Sequence, residues 1–215
     1  MSRFCWRFIL CTLLGGLPFA APVDTWADAG GESTPPRILV FGDSLSAAYG
    51  IEIDAGWVAL LQQRLRAQGK PHRLVNASVS GETSAGGRAR LPALLAREPY
   101  ALVVLELGGN DGLRGLSLAQ TEANLRAMIE AARGTGAQVL LLGMRLPPNY
   151  GATYTNAFAA IYPKLAREQD VALVPFLLDG VATDLALMQP DRIHPRAAAQ
   201  PRLLDTVWPA LVPLL

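Results

Sequence analysis

The sequence predicts an α/β domain, a parallel sheet covered by helices on both faces. Three observations carry that expectation. Short apolar, β-prone runs recur at 37–41, 73–77, 101–107, 138–142 and 171–174. Segments with apolar residues at helical spacing lie between them, and strands alternating with helices imply right-handed crossovers. Leu102-Val103-Val104-Leu105 is apolar without alternation, as in a parallel strand buried on both faces. A chain of 215 residues suits one such domain with a sizeable core. The expected architecture is a three-layer, flavodoxin-like α/β/α sandwich of five strands. Its strand order, 2-1-3-4-5, is chosen from doubly wound sheets and is not legible in the residues themselves.

Residues 1–27 differ from the rest of the chain. Arg3 and Arg7 precede an uncharged run from Phe8 to Ala20, and Thr25-Trp26-Ala27 places small residues around a cut. That is the layout of a secretory signal peptide. The apolar run is short for a membrane span and is interrupted by Gly15, Gly16 and Pro18, so cleavage is expected and a stable anchor is not. The cut follows Ala27, with Ala20 and Ala21 as alternatives. Both cysteines, Cys5 and Cys11, fall inside this segment. The mature chain then has no disulfide, no thiol nucleophile and no cysteine metal site. The expected location is periplasmic or secreted. Residues 28–36 form a polar Gly/Pro linker, and 37–215 form a single domain.

Lys and Arg total 19 against 18 Asp and Glu. The basic residues are scattered, with no stripe to track phosphates, which argues against nucleic acid as a partner.

Each element has a local reason. Arg37–Phe41 is a buried strand that stops at Gly42-Asp43-Ser44. Trp57, Leu60, Leu61 and Leu65 mark a helix over 56–68, ending at Gly69. A second strand covers 73–77, then a helix 85–96. After the strand at 101–107, Gly108-Gly109-Asn110-Asp111-Gly112 breaks the pattern. Ser117 is the expected N-cap of a helix to Arg133, with Gly134 at its end. A strand at 138–142 leads to a helix over 154–169, in which Pro163 is expected to kink or split the rod. The last strand is 171–174, residues 175–190 are mixed, and a final helix covers 196–211.

Ser44 stands at a strand's carboxyl end, where open α/β sheets place their ligand crevices. Asp-Ser after a strand is also an ordinary turn or helix cap, so a nucleophile needs a base and an oxyanion site to go with it. The chain has two histidines. His72 enters the second strand at its amino end, the face opposite Ser44. His194 lies in the loop before the last helix, three residues after Asp191. A carboxylate at that spacing can curl back to the imidazole Nδ1–H, leaving Nε2 for the Ser44 proton. Gly81 can present its backbone N–H at close range, and Asn110 carries an amide in a Gly-rich loop. The Ser44 N–H adds a third donor. Gly81 and Asn110-Asp111-Gly112 taken singly are also plain turn residues. It is the convergence of four loops on one sheet edge that argues for a site. Asp43 is read as a structural residue holding the turn.

With these residues in view, the sequence resembles the SGNH (GDSL) hydrolases, close to the bacterial thioesterase I/lysophospholipase L1/arylesterase group. The blocks that carry the resemblance are Phe41–Ser46, Asn76–Ser84, Glu106–Gly115, Arg145–Gly151 and Asp191–Pro195. They keep the family's order over nearly the whole mature chain. The resemblance implies Ser44 as nucleophile, His194 as base and Asp191 as its partner. It implies the Ser44 amide, Gly81 and Asn110 as oxyanion donors. It also implies a mobile Gly108–Gly115 segment that closes over the acyl chain, with Gly109, Asp111, Leu113, Leu146 and Pro147 at the substrate. Leu107, Leu113, Leu146 and Pro147 are each open to either groove or core. No cofactor or metal is implied.

The expected function is hydrolysis of carboxylic esters and thioesters, of small acyl or aryl esters or lysophospholipids, by a monomer. The alternatives are a carbohydrate O-deacetylase of the same fold and a non-catalytic binder of fatty acids or lysolipids. One departure stands out. The family has Gly between Asp and Ile of its last block, and here the residue is Arg192. If that position needs φ > 0, the arginine is strained by about 1 kcal/mol. If not, Arg192 rims the pocket and favours anionic substrates, which is the preferred reading.

Overall fold

The computed structural model describes residues 34–215. The expected signal peptide and most of the expected linker lie outside the described residues. Five parallel strands, β1 (Arg37–Gly42), β2 (Arg73–Asn76), β3 (Leu102–Glu106), β4 (Gln138–Leu142) and β5 (Ala172–Val174), pair in the order β2-β1-β3-β4-β5. The expected order and α/β class are both found. β1 and β3 lie at the centre, with Leu39 opposite Val103 and Phe41 opposite Leu105. Every residue of β3 is buried, which is why Leu102 to Leu105 form a continuous apolar run rather than an alternating one.

Helices α1 (Trp57–Ala67) and α6 (Gln200–Leu211) pack together on one face of the sheet. Helices α2 (Ser84–Leu95), α4 (Leu118–Gly134) and α5 (Ala152–Gln169) pack in series on the other. Caps set several boundaries. Thr83 accepts from the Gly86 amide ahead of α2, and Ser117, the expected N-cap, accepts from Gln120 ahead of α4. Helix α1 has no such help, because Gly56 has no side chain to cap it. Its Trp57 amide instead donates to Gln200 Oε1, 2.9 Å away and 143 residues on. The buried Gln200 thus ties the first helix to the last and satisfies an amide that would otherwise be orphaned.

Two expectations are corrected. Pro163 does not split α5, which runs unbroken through it. A proline inside a helix forfeits one bond and costs about 3 kcal/mol. The buried flank of Phe158, Ile161, Tyr162 and Leu165 supplies the packing that offsets it. The Gly-rich stretch after β3 is not a free loop either. It forms a short helix, α3 (Gly109–Leu113), whose Gly112 backbone lies so close to Leu146 and Phe158 that a Cβ there would meet them at 2.7 and 2.8 Å.

Replacing Gln200 by Leu keeps the volume and strands the Trp57 N–H. We expect Gln200→Leu to lower unfolding free energy by about 1–3 kcal/mol, read as a lower urea midpoint with an unchanged slope.

Candidate active site

The parallel sheet delivers the carboxyl ends of β1, β2 and β3 to one edge, and the loop before α6 returns to the same edge. At the end of β1 the chain turns sharply. Asp43 Oδ1 accepts from the Leu45 amide at 3.1 Å, and the Ala47 and Tyr49 amides donate back to Asp43 and Ser44 carbonyls. This one-turn coil presents Ser44 at its start. His194 Nε2 lies 2.8 Å from Ser44 Oγ, and His194 Nδ1 lies 2.7 Å from Asp191 Oδ2. The three predicted residues form a continuous hydrogen-bonded chain.

The loop that carries His194 is built for that contact. Asp191 Oδ1 accepts from the Ile193 and His194 amides, each at 3.0 Å. Two successive amides can face one carboxylate oxygen because Arg192, just before them, turns left-handed, at φ 58°. Burial opposes ionisation of Asp191. The His194 side chain and the two amides more than offset it and hold the carboxyl at about 2, so it is an anion through the physiological range. Gln189 Nε2 donates to the Tyr49 and Pro195 carbonyls, tying this loop to the serine loop. The Tyr49 ring lies 4.5 Å from the imidazole, centroid to centroid.

Arg192 corrects one expectation. The preferred reading makes it a rim residue rather than a strained one. It does line the apolar groove beside the site, yet its backbone also occupies the region that favours glycine.

The expected oxyanion donors surround the serine loop. Gly81 sits at φ 79°, a conformation glycine adopts without steric cost. Its carbonyl accepts from Arg114 Nη2 at 3.1 Å, and the neighbouring Val79 amide donates to Gly42. Asn110 lies in α3. Its Nδ2 donates to Asp43 Oδ2 at 3.0 Å, which fixes the amide plane and leaves the second Nδ2 hydrogen unclaimed by that bond. The loops after β1, β2 and β3 are therefore cross-braced around one point.

The groove beside them encloses about 430 Å³. Four of the five expected substrate residues, Gly109, Leu113, Leu146 and Pro147, line it. Asp111 does not. It is buried, with its carboxylate accepting from the Ser84 amide at 2.8 Å and the Ser84 hydroxyl at 2.6 Å. Those bonds tie α3 to α2, so the carboxylate faces inward. Leu107 is fully buried core. His72 lies at the amino end of β2, as expected, far along the strand from Ser44. Sequence reasoning missed part of the groove's lining, which includes Met144, Phe176, Leu185 and Ile193. It also assigned no role to Glu106, although an acidic residue ending an apolar strand was a visible signal.

Residues 40–201 match the model of the GDSL-like lipase/acylhydrolase family. The chain belongs to that family. It is 60% identical over 184 residues to Esterase TesA of Pseudomonas aeruginosa, covering 86% of this chain and 92% of that protein. It is 47% identical over 178 residues to Thioesterase 1/protease 1/lysophospholipase L1 of Escherichia coli K12, covering 83% of this chain and 84% of that protein. A crystal structure of TesA superposes with a TM-score of 0.82 at 60% identity, covering 83% of this chain and 99% of the other. The family resemblance, the fold and the enzyme class expected from sequence are thereby found: this GDSL-family chain is a carboxylic ester hydrolase.

A glycine relieves the left-handed position that Arg192 occupies. Arg192→Gly is expected to raise stability by about 1 kcal/mol, seen as a thermal midpoint higher by about 2–4 °C.

Proposed function

We propose that this chain hydrolyses acyl and aryl esters and thioesters by two-step acyl transfer on Ser44. The observation that carries the reading is the hydrogen-bonded chain from Ser44 Oγ through His194 to an Asp191 held as an anion. A serine hydroxyl is a poor nucleophile until an adjacent base takes its proton. In this reading neutral His194 accepts that proton as Ser44 Oγ attacks the ester carbonyl, and Asp191 stabilises the imidazolium. The oxyanion gathers hydrogen bonds from the Ser44 and Gly81 amides and from Asn110 Nδ2. His194 then protonates the departing alcohol or thiol. Water, deprotonated by the same imidazole, releases the acid and restores the serine. Each of these steps is carried by groups of this one chain, so a monomer suffices.

The groove supports the substrate class. Its lining includes Leu45, Leu113, Leu146 and Ile193, suited to an acyl or aryl group rather than a hydroxyl-rich sugar. Arg145 and Arg192 stand on the same groove and suit an ester whose far end is anionic or zwitterionic, such as a lysophospholipid. The leader-like pattern of residues 1–27 supports a periplasmic or secreted place of action. Among the described residues, no helix is long and apolar enough to cross a membrane.

Ser44→Ala is expected to abolish turnover of short p-nitrophenyl esters while the protein stays folded, and His194→Ala to cost at least about a thousandfold. Retained turnover by Ser44→Ala sinks the nucleophile assignment. Across an acyl-length series, faster hydrolysis of acetylated sugars than of longer acyl esters would favour a deacetylase instead.

A further inference from the structure

Glu106 lies off the reaction path, yet it touches both sides of Ser44. It ends β3 and is fully buried, at 0% exposure. Its Oε2 accepts from the Asp43 amide at 3.1 Å and from the Ser46 hydroxyl at 2.7 Å. A Cβ at position 42 would come within 2.5 Å of that oxygen, so the glycine before Asp43 is what lets the carboxyl approach. Four residues after Glu106, the same segment carries Asn110, whose Nδ2 is held by Asp43 Oδ2. Asp43 is thus clamped twice, by its amide to Glu106 and by its carboxylate to Asn110.

We propose that Glu106 is a positioning residue that locks the Ser44 turn in register with the Asn110 loop. It acts through Asp43 and Ser46 and contacts no substrate. The inference rests on the reading of Asn110 as an oxyanion donor. Without the Glu106 contact, the ends of β1 and β3 keep their backbone pairing, but the turn beyond β1 loses its anchor. An error of about 1 Å at such a site costs about a hundredfold in rate.

The surroundings set the charge states. Burial first, then the neighbouring Asp43 carboxylate, push Glu106 well above the usual carboxylate range. Burial also raises Asp43, with the Leu45 amide, Glu106, His194 and Asn110 opposing it, and leaves it at about 6. The groups facing the pair are Ser46 from the turn, Asn110 from α3, His194 from the last loop and Tyr162 from α5. Above about 6, Asp43 offers Asn110 a charged acceptor; below it, that acceptor is lost.

Glu106→Gln preserves the shape and one acceptor oxygen, whereas Glu106→Ala removes the clamp. On a p-nitrophenyl ester we expect Glu106→Gln to keep kcat within about threefold of the parent. Glu106→Ala is expected to lose about a hundredfold in kcat with KM little changed. Should Glu106→Ala fail to fold, Asp43→Asn serves as the second variant. The parent's log kcat/KM is expected to fall more steeply toward acid than that of Asp43→Asn, which lacks the carboxyl that takes up a proton near about 6. A folded Glu106→Ala with parental kcat overturns the proposal. So does a Glu106→Gln as impaired as Glu106→Ala, or an acid limb unchanged in Asp43→Asn. These outcomes are separate from the activity of Ser44→Ala, on which the proposed function stands.

Discussion

The bond from Asn110 Nδ2 to Asp43 Oδ2, 3.0 Å long, is the constraint around which the site is arranged. It joins the loop after β1 to the loop after β3, the two central strands. On one side of it stands Ser44; on the other, the amide suited to receive an oxyanion. A floppy asparagine would rotate its amide among solvent partners. Here one hydrogen is already engaged, so the direction of the other is set before substrate arrives. The remaining braces, Arg114 to Gly81 and Gln189 to Tyr49, bring the second and last loops to the same point.

Those braces explain why the architecture suits this chemistry. Adjacent parallel strands end at one edge, so residues distant in sequence arrive within hydrogen-bond reach without long loops. His194 is 150 residues from Ser44 yet its Nε2 lies 2.8 Å from the hydroxyl. The sheet core holds the strand ends in fixed register, Val40 against Val104 and Gly42 against Glu106. Only the turns beyond it remain to be fixed by polar bonds.

Sequence makes the strands legible because burial on both faces leaves an unmistakable apolar run, as at Leu102–Leu105. It makes His194 and Asp191 legible because a curl over three residues is a local matter. It cannot reveal that Gln200 caps α1, since that bond spans the whole domain, nor that α5 continues through Pro163, since packing outweighs a local penalty. Asp111 eludes it for the same reason. In sequence it adjoins Asn110 in a Gly-rich turn, but one step along a helix points a side chain elsewhere, here toward Ser84. Arg192 shows the converse: one unusual residue already raises the question of a left-handed backbone, and the two amides aimed at Asp191 supply the reason.

The site holds two acids whose surroundings pull them in opposite directions, and this separates stability from function. Asp191 is depressed to about 2, so its contribution to stability is present above the unfolded value near 3.9 and is lost as pH falls through about 2. Asp43 is raised to about 6. For it the sign reverses: the folded state holds its proton more tightly than the unfolded chain, and stability declines as pH rises from about 4 through 6. The carboxylate that Asn110 requires is therefore the form that burial disfavours. Glu106 reconciles the two demands. Burial and the neighbouring Asp43 carboxylate push its carboxyl toward the protonated form, while its Oε2 accepts from the Asp43 amide and the Ser46 hydroxyl. Two buried carboxyls side by side repel if both ionise, and the hydrogen bonds around the pair favour charge on Asp43, where Asn110 Nδ2 meets it.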